Sequence, residues 1–201
     1  MTQMQGGEAE DKKEKTPVEA ERTNFKQSRT IMPNILVTGT PGTGKTFLCE
    51  LIVAEHNLQY INFGDLVKQN PNLQHLWNSE LQCYDLTDEA EDLIMDQMEP
   101  LILQRNCIVE HIDARPFAED WFDYVIVLTA KIEILGSRLE DRGYSEDKIK
   151  ENIDSEIFGV CLERARESYP ADIIIELPSE SLEQMEYSKT FVGGLITGPN
   201  Q

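Results

Sequence analysis

From Asn34 onward the chain alternates short apolar, β-branched runs with stretches of helical period. Ile35 to Val37, Tyr60 to Ile61, Cys107 to Val109, Tyr124 to Leu128 and Ile173 to Ile175 are the runs, and their lengths suit strands buried on both faces of a parallel sheet. Between them, Lys45 to Ala54 reads as a helix. Thr87 to Leu103 reads as a longer one, capped by Thr87, with Asp88, Glu89 and Glu91 in its positively polarised first turn and Ala90, Ile94, Met98 and Leu101 on its buried face. Pro100 is expected to kink or break its last turn, because proline has no N–H to donate. A further helix is expected from Lys131 to near Gly143. Another is expected from Ser145 to about Tyr169, with Ile149, Ile153, Ile157, Val160 and Ala165 along one stripe. Strands separated by helices predict an α/β fold with a parallel sheet flanked by helices.

Composition changes this picture at the N-terminal end. Residues 1–30 hold six acids, six bases and almost no large apolar side chain, so they bury too little surface to offset the entropy of ordering and are expected to form a disordered tail. The whole formal charge of −19 therefore falls on the remainder. Its plainest consequence is solubility; it also repels phosphate at long range, so any nucleotide contact needs a local site that overcomes the field. The four cysteines, Cys49, Cys83, Cys107 and Cys161, lack the close spacing of a zinc site and read as reduced thiols. No run approaches about 18 consecutive apolar residues and the first residues lack a signal-peptide core, so a soluble intracellular protein with no membrane partner is expected.

The chemistry is concentrated after the first strand. Gly39-Thr-Pro-Gly42-Thr43-Gly44-Lys45-Thr46 satisfies G-x-x-x-x-G-K-[ST] and lies between an apolar strand and an amphipathic helix. The glycines let successive N–H groups converge on phosphate oxygens at a helix N-terminus. Lys45 can reach the β and γ phosphates, and the Thr46 hydroxyl can complete a Mg2+ shell. Gly39, Gly42, Thr43, Gly44, Lys45, Thr46 and Phe47 are thus the expected ATP-binding residues, Phe47 through its backbone N–H alone.

Pro33 to Thr46 closely resembles the opening of the adenylate kinase isoenzyme 6 family. Tyr60-Ile-Asn-Phe-Gly-Asp-Leu66, Glu119 with Trp121-Phe122, Arg138-Leu-Glu-Asp-Arg142-Gly-Tyr144 and Asn152-Ile-Asp-Ser-Glu-Ile-Phe158 are also similar to it. The resemblance spans roughly residues 33 to 178 and implies a P-loop fold of the nucleoside-monophosphate-kinase type over 31–178. It also implies ATP with Mg2+ as donor, AMP or a related monophosphate as acceptor, and an ATPase side reaction. A role in small ribosomal subunit maturation, in the nucleus and also the cytoplasm, is implied with it. The acidic surface suits a basic small-subunit ribosomal protein as partner better than bare RNA, and neither sequence-specific nucleic-acid binding nor an oligomer is expected.

Phosphoryl transfer needs cations beyond Lys45. Arg138 and Arg142, spaced i and i+4 near a helix end, either hold phosphate or stabilise the helix terminus; similarity to the family's lid segment favours phosphate, with Arg142 the stronger candidate. Cys107-Ile-Val-Glu110 is a strand ending in an acid, the form that holds Mg2+, so Glu110 joins Thr46 as the expected metal pair and Lys45, Arg138 and Arg142 as the expected catalytic set. Asn62, Gly64 and Asp65 follow the second strand at its carboxyl end and open the family's acceptor region; Asp65 reads either as a ligand group or as a helix cap.

Departures from the family accompany these matches. Its Asp-x-His pattern is replaced by Glu110-His111-Ile112. Strand alternation turns a histidine one residue after the acid to the other face, so His111 is expected to lie off the site. Other adenylate kinases hold the acceptor phosphate with arginines, and none lies between Arg29 and Arg105. The end of the chain, including Phe191-Val-Gly-Gly-Leu-Ile-Thr-Gly-Pro199, is rich in glycine and is expected to leave 179–201 irregular, without the family's closing helix.

Overall fold

The computed structural model describes residues 32–198; the tail expected over 1–30 lies outside them. Five strands, β1 (Ile35–Gly39), β2 (Gln59–Asn62), β5 (Cys107–Glu110), β6 (Tyr124–Thr129) and β7 (Ile174–Pro178), form one sheet in the order β2-β5-β1-β6-β7. Every pairing in it is parallel. A separate two-residue antiparallel pair joins β3 (Trp77–Asn78) to β4 (Cys83–Tyr84). The helices are α1 (Lys45–Glu55), α2 (Phe63–Gln69), α3 (Asp88–Leu103), α4 (Ile132–Asp141), α5 (Glu146–Ile157), α6 (Val160–Ser168) and α7 (Leu182–Thr197).

Strand alternation divides the core into two layers. Leu36, Cys107, Val109, Val125 and Val127 face Ala90, Ile94, Met98 and Ile102 of α3 and Cys161 and Ala165 of α6. Ile35, Val37, Ile108, Ile126 and Leu128 face Leu48, Cys49 and Ile52 of α1 and Met185, Val192 and Ile196 of α7. All five predicted strands are present. Helix α3 begins as expected, the Thr87 hydroxyl accepting from the Ala90 N–H at 3.3 Å.

Three expectations about helices are corrected. Pro100 does not break α3, which continues to Leu103; Pro100 and Asp96, whose carbonyl loses its intrahelical donor, both lie on the exposed face, where solvent can satisfy that carbonyl. The single helix expected from Ser145 to Tyr169 is two, because Gly159 adopts φ +61° and turns the chain between α5 and α6. The stripe is divided accordingly: Ile149 and Ile153 pack against Leu135 and Leu139 of α4, Ala165 enters the main core, and Ile157 and Phe158 are left exposed at the break.

The third correction concerns 179–201, where an irregular segment was expected and α7 is found, within the same compact unit as the rest of the domain. Ser181 caps it, its hydroxyl accepting from the Gln184 N–H at 3.2 Å. Met185, Ser188, Val192 and Ile196 recur at helical spacing and are buried. Gly193 and Gly194 each cost about 1 kcal/mol of helix propensity; burying Met185, Val192 and Ile196 contributes about 1.5–3 kcal/mol apiece and outweighs them. The glycine also has a use, since a Cβ on Gly193 would stand 2.9 Å from Nε2 of His56, where α1 ends. Ser188 is fully buried and its hydroxyl has no partner among the described residues. Ser188→Ala is therefore expected to raise stability by about 1 kcal/mol, through removal of an unsatisfied polar atom and gain of helix propensity; urea midpoints measure it, and an irregular segment would give no change.

Candidate active site

The loop from Gly39 to Lys45 joins β1 to α1 at the carboxyl edge of the sheet, where parallel α/β folds bind ligands. Its shape depends on missing side chains. Gly39 has φ +142°, and a Cβ there would lie 2.4 Å from the Leu128 carbonyl oxygen of β6; one on Gly42 would lie 2.7 Å from Leu135 Cδ1 of α4. Thr43 turns both its N–H and its hydroxyl onto the Thr40 carbonyl, at 3.2 and 2.9 Å, so its side chain shapes the loop and is not offered to a ligand. The Thr40 hydroxyl donates a short hydrogen bond to Glu156 of α5, whose other carboxylate oxygen accepts from the Ala130 N–H at 2.8 Å.

Lys45 is buried with its ammonium against the loop, donating to the Gly39 carbonyl at 2.7 Å and the Thr40 carbonyl at 3.2 Å. Burial pushes its pKa down and the nearby Glu110 carboxylate opposes that. Thr46 Oγ1 donates to Glu110 Oε1 at 2.8 Å. The other oxygen, Oε2, accepts from Asn62 Nδ2 at 2.8 Å and from the Tyr60 hydroxyl in a short bond. Burial, and then the bond to Glu110, hold the Tyr60 phenol well above its ordinary range, so it remains a donor. This arrangement follows from register: Asn62 pairs with Glu110, and Glu110 with Val37, across neighbouring parallel strands. Tyr60 and Asn62 share a strand face by the period of two.

A hydroxyl and a carboxylate oxygen in contact are hard oxygen donors of the kind that Mg2+ takes alongside substrate phosphates and water. The Thr46–Glu110 pair therefore fits the ion that the phosphate loop implies. Bound there, Mg2+ would neutralise charge on the β and γ phosphates.

Arg138 and Arg142 stand at the mouth of the loop. Arg138 donates to the Gly42 carbonyl at 3.3 Å and the Ser179 carbonyl at 2.6 Å, clamping the loop to the turn after β7; burial and the neighbouring Arg142 lower its pKa. The side chain of Arg142, at the end of α4, makes no hydrogen bond or ion pair among the described residues and is the guanidinium free to meet a phosphate. Both line a cavity of about 520 Å³ with Gly42, Gly44, Phe47 and Met185. Met185 belongs to α7, so the helix that sequence reasoning missed supplies a wall of the site.

The residues expected at the acceptor end divide differently. Asn62 Oδ1 caps α2 by accepting from the Asp65 N–H at 3.1 Å, while its amide nitrogen holds Glu110. Asp65 is not the cap, and its carboxylate pairs with exposed Lys68 at 3.1 Å, so that only its backbone N–H meets the cluster, through Asn62. Gly64 lies in the first turn beside Asn62 Oδ1. His111 is off the Glu110 face, as strand alternation predicts: its ring packs edge-on against Phe63 and Phe117, and Nδ1 lies 2.6 Å from the Asp113 carbonyl oxygen and 3.1 Å from the Asp113 backbone nitrogen. Tyr60 and Glu156 were not anticipated as site residues. Alternation along β2 could have found Tyr60 from Asn62; Glu156 lies in the family-like stretch Asn152 to Phe158, but nothing local in the sequence ties it to the phosphate loop.

Tyr60→Phe is expected to lower turnover about tenfold while leaving the fold intact, since one of three donors fixing Glu110 is lost; steady-state kinetics beside an unfolding curve test this. His111→Phe is expected to leave nucleotide turnover within about threefold, whereas Glu110→Gln should lose at least about tenfold. Burial also holds the His111 imidazole below its ordinary pKa. The unfolded chain then binds that proton more readily than the folded one, so stability is complete above about pH 6.5 and declines as pH falls below it. His111→Phe should flatten that decline in urea titrations run from pH 7.5 to 5.

Similarity to known proteins agrees with this geometry. The family model described as an AAA domain matches residues 35–159. The chain is 43% identical over 173 residues to the adenylate kinase isoenzyme 6 homolog of Dictyostelium discoideum, covering 86% of this chain and 95% of that protein. It is 44% identical over 166 residues to the homolog of Schizosaccharomyces pombe, covering 83% and 93%. In fold it is similar to shikimate kinase from Bacteroides thetaiotaomicron, with a TM-score of 0.58 at 15% identity over 83% of this chain and 99% of that one. With a phosphate loop set on a parallel five-stranded sheet and these relatives matched over nearly their whole length, the chain belongs to the adenylate kinase isoenzyme 6 family of P-loop nucleotide kinases.

Proposed function

We propose that the protein transfers the γ-phosphoryl group of ATP, bound with Mg2+, to AMP or a related nucleoside monophosphate, with slow transfer to water as a side reaction. The observation that carries this reading is the Thr46–Glu110 contact beside the buried Lys45 ammonium, with Glu110 fixed by Tyr60 and Asn62. Transfer of a phosphoryl group is accelerated mainly by positioning and by neutralising charge on the migrating oxygens. Backbone N–H groups at the start of α1 and the Lys45 ammonium supply that for the β and γ phosphates. Arg142 supplies it from the opposite wall. Thr46 and Glu110 would hold the Mg2+.

A second reading, an ATP-binding assembly factor of weak turnover, is favoured by two observations. Ile112, half exposed, stands where the family's histidine falls, and His111 faces the aromatic cluster instead. On the acceptor side, Arg115 is spent on Asp113, which it grips through Nε at 3.0 Å. Under either reading a role in small ribosomal subunit maturation, in the nucleus, with a basic ribosomal protein as partner, is supported by the family resemblance and by the net charge of −19.

A coupled assay for ADP formation with and without AMP separates the two readings: acceleration by AMP supports the kinase, and ADP release indifferent to AMP supports the assembly factor. Lys45→Ala is expected to remove most nucleotide binding or turnover. Arg142→Ala should lower kcat about a hundredfold with ATP affinity changed much less, because its charge is used mainly on the transition state. A normal kcat would leave Arg142 as a helix-end residue only.

A further inference from the structure

The hairpin of β3 and β4 belongs to the segment after α2, and the turn from Arg142 to Ser145 joins α4 to α5. Although the partners are 61 to 67 residues apart in sequence, four hydrogen bonds join hairpin to turn. Gln82, held at φ +48°, donates from Nε2 to the Gly143 carbonyl at 3.3 Å and accepts the Ser145 N–H on Oε1 at 3.2 Å. Its side-chain amide pairs with the turn as a neighbouring strand would, and it satisfies the backbone N–H of the residue that caps α5. Lys148, in the first turn of α5, donates to the carbonyls of Leu81 and, at 2.6 Å, of Gln82. Glu146, Asp147 and Glu151 flank it in sequence, yet its ammonium crosses to the hairpin, passing 4.7 Å from the centre of the Tyr144 ring.

The hairpin is itself held. Asn78 Oδ1 accepts from the N–H groups of Glu80 and Leu81, both at 3.0 Å, and Trp77 packs edge-on against Tyr84. The Tyr84 hydroxyl donates to Gln74, whose amide nitrogen donates to the Lys68 and Asn70 carbonyls at the end of α2. Helix α2 starts from Asn62, which also holds Glu110. Contacts therefore run from Glu110 through α2 and the hairpin to the turn that begins with Arg142. The Arg142 guanidinium has no partner among the described residues, so its reach depends on how the backbone of that turn is placed.

Resting on the kinase reading, we propose that Gln82 and Lys148 are positioning residues: they fasten the turn that carries Arg142 to the β3–β4 hairpin and so aim this arginine at the migrating phosphoryl group. The test is a double-mutant cycle in the full-length protein, read as single-turnover transfer from ATP to AMP, with ATP affinity and amide exchange measured alongside. Gln82→Ala and Lys148→Met are each expected to slow transfer about tenfold, since a small displacement of a charge-stabilising group is costly. ATP affinity should stay within about twofold, because the arginine acts mainly on the transition state. Lys148→Arg, which keeps donors for both carbonyls, should retain most of the rate. In an Arg142→Ala background, Gln82→Ala should change the rate by less than about twofold, as expected of a residue that acts through that arginine. The Ser145 amide should exchange about tenfold faster in Gln82→Ala than in the wild-type protein. A tenfold loss that persists in the Arg142→Ala background overturns the proposal, as does a full rate in both Gln82→Ala and Lys148→Met, or Ser145 exchange unchanged by Gln82→Ala. Absence of any transfer to AMP by the wild-type protein would remove the kinase reading and the positioning role together, whereas the other adverse outcomes, in an active enzyme, remove the positioning role alone.

Discussion

A row of backbone N–H groups holds phosphate only if the row is itself held, and the loop from Gly39 to Lys45 is fixed from several directions. Gly39 lies so close to the Leu128 carbonyl of β6 that no side chain fits. Glu156 grips Thr40 from α5, and Arg138 grips Gly42 from α4. Met185 of α7 lies within 2.9 Å of where a Gly44 Cβ would stand. Three helices and one strand that are far apart in sequence therefore converge on one turn. The rest of the architecture can be understood as the means of bringing them there, since preorganised donors avoid a reorganisation cost when charge develops on the substrate.

The same economy governs Glu110. A buried carboxylate is costly unless its lone pairs are satisfied, and three donors from β2 and α1 satisfy this one. Side-chain rotation would break these bonds, so the oxygen facing Thr46 stays in place. Asn62 has two roles at once, cap of α2 through its carbonyl oxygen and anchor of Glu110 through its amide. One residue thereby ties the direction of α2 to the geometry of the metal pair.

What could be read from the sequence follows from the range of the forces involved. The strands were legible because burial on both faces leaves an unbroken apolar run, and the phosphate loop because its glycines and lysine must be contiguous. The displacement of His111 was legible because the period of a strand is rigid. Helix α7 was not, since its two glycines argue locally against a helix while the burial that outweighs them comes from α1 and the sheet. The break at Gly159 was hidden for the converse reason: hydrophobic period continues through it, and only a positive φ reveals the turn. Glu156 belongs to the site through a contact 116 residues away, a separation that no local pattern records, whereas Tyr60 was within reach of strand alternation from Asn62.

The placement of α7 has a consequence for how the molecule comes into being. The phosphate loop is synthesised early, between residues 39 and 45, yet β7 and α7 emerge from the ribosome more than a hundred residues later. Until then β6 has an open edge, one face of α1 is uncovered, and the cavity beside Phe47 has no Met185 wall. A nascent chain thus carries a nearly complete phosphate-binding motif long before the cavity beside it is walled in. Nucleotide capture becomes a late event that reports on the arrival of the C-terminal helix, and not on the folding of the loop that gives the motif its name.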